Sequence, residues 1–263
     1  MDLELSLLPQ AAAQMRGALN NLHFAAARLA PAAAREQDPD LDAKAALMDQ
    51  SYYRLVRLVN DLAAVRYLSD EPLPLRDRDI VEFVADLFAR ATSLASFRGL
   101  ETRLLCAADH HICAFCPDAL EQLLYQLLSN AFKFTPAGGL ITVELRLSGD
   151  RIFLSVEDTG PGIDPERLEV LFDSYRQAER PAPPSQGLGL GLALCHGIAK
   201  GHGGVMTAES RQGKGSRFTF SMPDRLVGNI LSDVRFDYGG GFNRALMALA
   251  DALPPEAFGI RNR

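Results

Sequence analysis

The chain is 263 residues long, 48% apolar and 23% charged, with a formal net charge of −6. Those values suit a globular protein of one or two domains with a core of ordinary size, and they exclude a general nucleic-acid binder. No apolar run approaches the roughly 18 residues that a membrane span needs, and the acidic start MDLELSLLPQ lacks the basic region of a signal peptide, so a cytoplasmic chain is expected.

The first 70 residues are rich in Ala and Leu. Leu8, Ala12, Met15, Leu19, Leu22, Ala26 and Leu29 alternate in steps of four and three, and Leu41, Ala45, Met48, Tyr52, Leu55, Val59 and Leu62 repeat the pattern. This spacing predicts two helices with heptad seams, separated by PAAAREQDPD with Pro31 and Pro39 as stop and restart signals. Two antiparallel helices leave such a seam half covered. A second copy would bury it in a four-helix bundle homodimer through residues 1–70; packing against the chain's own second domain is the alternative.

SDEPLPLRDRD (69–79) reads as a linker, and a helix is expected over 80–98. TRLLCA and ICAFC then read as two short strands around an ADHH turn. Cys106, His110, His111, Cys113 and Cys116 lie close enough in sequence to raise a zinc site, but strand alternation puts Cys113 and Cys116 on opposite faces, which favours buried or cross-strand free thiols. A helix from Asp118, as N-cap, to Phe134 ends at PAGG, and strands are expected over 140–147 and 151–157. A Pro-rich loop (176–186) precedes a helix over 191–202 and two closing strands. The mix is α+β, with helices on one face of a mixed sheet.

Four segments carry the chemistry. In ALEQLLYQLLSNAFKFTPAGG, Asn130 and Lys133 share a helix face; an amide oxygen suits Mg²⁺ and an ammonium suits phosphate. In DTGPGI, Asp158 ends a strand where it can accept from an exocyclic amine such as that of adenine, and Gly160 and Gly162 let backbone approach a flat ring. Gly187, Gly189 and Gly191 lead into a helix whose first N–H groups attract phosphate oxygens; the spacing fits neither a dinucleotide fingerprint nor a P-loop. GKGS (213–216) is a turn between strands.

Jointly, and in this order, these segments resemble the sensor histidine kinase family and its relatives with the Bergerat ATP-binding fold. LLSNAFKFTPAGG looks like the N box, DTGPGI the G1 box, LFDSYRQAE the F box, GLGLGLAL the G2 box and GKGSRFTF the final glycine turn. The resemblance implies an α/β sandwich over 75–225 that binds ATP and Mg²⁺, after a dimerisation and phosphotransfer-like hairpin (1–70) and before an extension (226–263) of no assigned role. It implies that Asp158 reads the adenine amine beside Gly160 and Gly162, that Asn130 holds Mg²⁺ and that Lys133 touches phosphate. Phe172 and Tyr175 would anchor a lid over 174–187, with Gly187, Gly189 and Gly191 at the phosphates. A response regulator is the partner implied. The family usually has a second Asn four residues before Asn130; here Gln126 stands there, a longer amide still able to reach a metal.

The first helix departs from the family. Aligned on AQMRGAL (13–19), the acceptor histidine falls on Ala13 and its acidic neighbour on Gln14. Ala13 takes a solvent-facing heptad position, where an acceptor belongs, but a methyl group accepts no phosphoryl group. His23, ten residues on, is the one histidine in these helices and an unorthodox acceptor candidate. Three functions follow: a kinase with a displaced or partner-borne acceptor, a nucleotide-binding dimer without autokinase activity, or another Bergerat-fold ATPase or serine kinase. Against the last, Gln126 cannot replace the Glu that activates water in the ATPases. In the extension, Leu246, Leu249 and Leu253 give a helix over 243–253 an apolar stripe for docking on the ATP-binding domain or a partner.

Overall fold

The computed structural model describes residues 2–68, 72–164, 190–228 and 243–260. Among these, no helix is long and apolar enough to cross a membrane. The heptad segments form α1 (Asp2–Leu29) and α3 (Pro39–Ala64), with a short α2 (Ala32–Gln37) between them. Pro39 takes the first turn of α3, and the Asp38 carboxylate accepts from the Asp40 and Leu41 N–H groups. Arg35, buried on α2, fastens the turn by donating to Asp42 and Asp49 on α3 at 2.8 and 2.9 Å. Contacts of Arg16 with Asn60, Asn20 with Tyr52 and His23 with Asp49 fix α1 and α3 as antiparallel.

Half of the seam is covered. Ala12, Ala45, Tyr52 and Val59 are buried, whereas Met15, Leu22, Leu29, Met48 and Leu55 stay 42–85% exposed. The exposed residues recur every seven positions and form a stripe of their own. The other side of α3 packs on the rest of the chain.

That remainder is a two-layer α/β unit. A five-stranded sheet has the order β2 (Glu101–Cys106), β4 (Leu140–Ser148), β5 (Arg151–Asp158), β7 (Gly215–Pro223), β6 (Val205–Arg211), parallel only between β2 and β4. Alternation sorts its faces. Ile141, Val143, Leu145, Ile152, Leu154, Val156, Phe218 and Phe220 are buried under three helices: α4 (Ile80–Thr92), α5 (Pro117–Phe134) and α6 (Gly191–Gly201). The other face is polar, with Arg217 bridging Glu144 and Glu157.

Several boundaries differ from the sequence reading. The two cysteine-bearing segments do not pair with each other. β2 joins the main sheet, while β3 (Ile112–Phe115) pairs antiparallel with β1 (Arg76–Asp79), which lies in the stretch read as linker. Asp79 is the cause. Its side chain caps α4 and also takes the His111 N–H and the His110 ring, pulling the ADHH segment away from a hairpin. Cys113 and Cys116 are both buried free thiols, in line with the sequence reading. Cys116, not Asp118, is the N-cap of α5, because Pro117 takes the first helical position and the Cys116 N–H donates to His202 Nε2. The helix over 80–98 ends at Thr92, followed by a 3₁₀ turn over Ala95–Arg98 that Gly99 closes at φ +61°. In the extension the helix shrinks to α7 (Arg244–Ala248), beyond which the Ala250 and Leu253 carbonyls accept from Arg54 and Gln50 of α3.

Phe258, fully buried near the C-terminus with its ring 5.5 Å from Tyr53, joins the extension to α3. Phe258→Ala should lower the unfolding free energy by about 3–5 kcal/mol, read from denaturant midpoints.

Candidate nucleotide site

α5 has two working sides. Leu120, Leu123, Leu124, Leu127, Leu128 and Ala131 are buried. Gln126, Asn130 and Phe134 follow at steps of four on another face, and their helical rise spans about 12 Å. Glycine segments close on both ends of that span. Near the middle of α5, a methyl group at Gly191, the first residue of α6, would come within 2.9 Å of Gln126 Oε1. At its end, a methyl group at Gly160 would meet the Phe134 carbonyl oxygen at 3.0 Å and Asp158 Oδ1 at 2.7 Å. Asn130 lies between these contacts along the helix. The N box, the G1 loop and the start of α6 therefore share one side of the molecule.

Asp158 ends β5, 8% exposed, with Oδ1 accepting from the Gly160 N–H at 2.8 Å. Burial pushes its carboxyl above the ordinary range, opposed by the Gly160 and Ser216 N–H groups. Gly162 adopts φ +73°, and a methyl group there would lie 2.3 Å from the Arg211 carbonyl oxygen. The GKGS turn rests against this loop: the Gly213 N–H donates to Pro161 O at 2.7 Å, and Ser210 Oγ accepts from the Ile163 N–H at 2.8 Å. The glycines thus serve close backbone packing around a buried carboxylate. They leave Asp158 oxygen lone pairs for an amine donor, so the residues present fit an adenine nucleotide.

For a metal, Asn130 offers a half-buried amide on the site face of α5. Gln126 does not offer one in this arrangement. Its Oε1 accepts from Arg57 Nη2 at 3.1 Å, and its Nε2 donates to Asp61 Oδ1 at 2.5 Å, both from α3. Arg57 also donates to Ser129 at 2.7 Å. Lys133 is half buried, and desolvation lowers its pKa; Asp251 acts against that shift and Arg57 adds to it. Arg57, Asp61, Ser129 and Asp251 were not singled out in the sequence, where they read as ordinary polar positions. Phe172, Tyr175, Gly187, Gly189 and the whole 174–187 lid lie outside the described residues.

On the hairpin, Ala13 and Gln14 are exposed. His23 is held instead: it stacks on Tyr52 with ring centroids 4.2 Å apart, and its Nδ1 lies 3.5 Å from Asp49. The cysteines are not gathered round a metal. His110 pairs with Asp79 and His111 with Asp224, and no group of three potential metal ligands occurs among the described residues.

A helical hairpin leading into an α/β sandwich whose α5 meets glycine loops is the arrangement of histidine kinase catalytic domains. Residues 116–226 match the family described as histidine kinase-, DNA gyrase B-, and HSP90-like ATPase. The adaptive-response sensory kinase SasA of Synechococcus sp. (strain JA-2-3B'a(2-13)) is 41% identical over 108 residues, covering 41% of this chain and 28% of that protein. The histidine protein kinase DivJ of Caulobacter vibrioides is 44% identical over 109 residues, 41% of this chain and 18% of its own length. The aerobic respiration control sensor protein ArcB of Escherichia coli is 37% identical over 160 residues, 59% of this chain and 20% of its own. Full-length ShkA in complex with AMPPNP superposes with a TM-score of 0.65 at 25% identity, over 84% of this chain and 46% of that one. Over the matched residues the chain is similar to sensor histidine kinases. It spans less than a third of the length of these three sequence relatives.

Replacing Asp158 by Ala should weaken binding of an ATP analogue about 30-fold or more, the loss of one charge-assisted hydrogen bond of roughly 2 kcal/mol, measured by calorimetry.

Proposed function

We propose that this chain binds Mg·ATP and works as a dimeric, nucleotide-responsive signalling module of a two-component system, without phosphorylating its own first helix at the family position. The observation that carries this reading is the pairing of an ordered nucleotide cradle with an exposed methyl group at Ala13. Asp158 orients the base, Gly160 and Gly162 admit it, Asn130 offers an oxygen to the metal, and Lys133 supplies charge to phosphate. A bound Mg²⁺ would neutralise phosphate oxygens and align them for transfer. The exposed stripe Met15, Leu22, Leu29, Met48 and Leu55 fits a second copy of the hairpin, and a response regulator or another signalling protein would read the nucleotide-dependent state. Cytoplasmic placement belongs to the same reading.

Phosphoryl transfer to a histidine on a partner is the second reading, and the cradle favours it because transfer rests on positioning and charge neutralisation. His23 is a poor acceptor, stacked on Tyr52 and close to Asp49.

Incubation with radiolabelled ATP and Mg²⁺ separates these readings. The expected outcome is saturable nucleotide binding with no acid-labile, alkali-stable label on the chain. Label that disappears in His23→Ala would establish His23 as acceptor; failure to bind nucleotide would overturn the assignment.

A further inference from the structure

The extension is built into the junction of the two domains. Leu246, Leu249, Leu253 and Phe258 are all at most 2% exposed. Toward α3, the segment receives side-chain hydrogen bonds along the helix. Asn60 Nδ2 reaches Met247 Sδ at 3.4 Å, Arg54 Nε the Ala250 carbonyl at 3.3 Å, and Gln50 Nε2 the Leu253 carbonyl at 2.6 Å. Arg35, on α2, reaches the Phe258 carbonyl at 3.3 Å. Toward the ATP-binding domain, Arg244 Nη1 lies 2.6 Å from Glu121 Oε2 on α5. One segment therefore grips both partners.

Its acidic side chain faces the site. Asp251 Oδ2 lies 3.5 Å from Arg57 Nη1, and Oδ1 lies 3.9 Å from Arg54 Nε. Asp251 thus adds a carboxylate to the cationic side chains of α3 at the junction. On the same junction, Arg57 and Asp61 occupy both ends of the Gln126 amide. A divalent cation at Gln126 Oε1 would have to share that oxygen with a guanidinium, and like charges repel at such range.

We propose that residues 243–260 are a built-in restraint on the nucleotide site: they brace α3 against α5 in the arrangement that keeps Gln126 bonded to Arg57 and Asp61, so that the braced state and Mg·ATP binding oppose each other. The inference rests on the nucleotide reading above. Coupling of this kind is reciprocal: whatever loosens the brace tightens nucleotide binding, and nucleotide loosens the brace.

The test uses the full chain carrying Cys106→Ser, to remove the partly accessible thiol, with Asn60→Cys and Met247→Cys added. Joining the two new thiols with a short bismaleimide pins the extension to α3. The crosslinked protein should bind Mg·AMPPNP about tenfold more weakly than the same protein left uncrosslinked, within the usual range of coupling between sites. Asp251→Ala, which removes no buried apolar group, should bind it several-fold more tightly than wild type. Without nucleotide it should also show faster amide exchange over residues 50–60. Equal affinity with and without the crosslink, or unchanged affinity and exchange in Asp251→Ala, would overturn the restraint. Absence of binding by wild type and every variant would overturn the nucleotide reading itself.

Discussion

Everything in the ATP-binding domain turns on α5 packing on the sheet with one side while the other meets glycine loops and α3. A helix that packs Leu120, Leu123, Leu124 and Leu127 against a sheet has little freedom to rotate, since a turn of one residue would carry an amide into the core. The site face is therefore fixed by packing rather than by the ligand. The glycines set the distances. A Cβ at 160 would meet Asp158 Oδ1 at 2.7 Å and the Phe134 carbonyl oxygen at 3.0 Å, and one at 191 would crowd the Gln126 amide at 2.9 Å.

The junction with the hairpin adds a second constraint. Arg57 is buried among Gln126, Ser129, Asp61 and Asp251, and removing one partner from such a network leaves charge without compensation. Burial raises the Asp61 carboxyl pKa, while Arg57, Gln122 and Gln126 hold it down. Asp61 stays useful as an acceptor only while those donors stay in reach. Domain separation therefore requires that Arg57 and Asp61 find water or new partners together, which favours two discrete arrangements over a continuum.

Much of this was legible in the sequence, for physical reasons that differ by element. The strands 140–148 and 151–158 announce themselves by alternation, and the heptads give both long helices. The resemblance to the Bergerat boxes pointed to α5, the G1 loop and the GKGS turn, which meet at the end of β5. The ADHH hairpin did not survive. Pairing of β2 with β4 and of β3 with β1 is a nonlocal choice, decided by the Asp79 side chain, and no local pattern encodes it. The role of the extension was hidden for a similar reason. Its leucine stripe predicts burial, yet only the fold shows that Arg54 and Gln50 of α3 bind its Ala250 and Leu253 carbonyls. Arg57 and Gln126 lie 69 residues apart, and neither looks unusual in its own helix.

Ala13 gains meaning from that junction. A nucleophile at that position would need the ATP-binding domain to approach it. Here the same domain is held against α3 by a buried ionic network, and the family position offers only a methyl group. Nucleotide can still act, since a ligand shifts an equilibrium by its difference in affinity for two states and needs no covalent step to do so. On the restraint proposed above, Gln126 would supply such a difference, since an amide held by Arg57 and Asp61 is not free for a metal. The hairpin's exposed stripe would carry that change to a second copy, because Tyr52 and Val59 of α3 pack within the hairpin while Leu55, on the turn between them, faces outward.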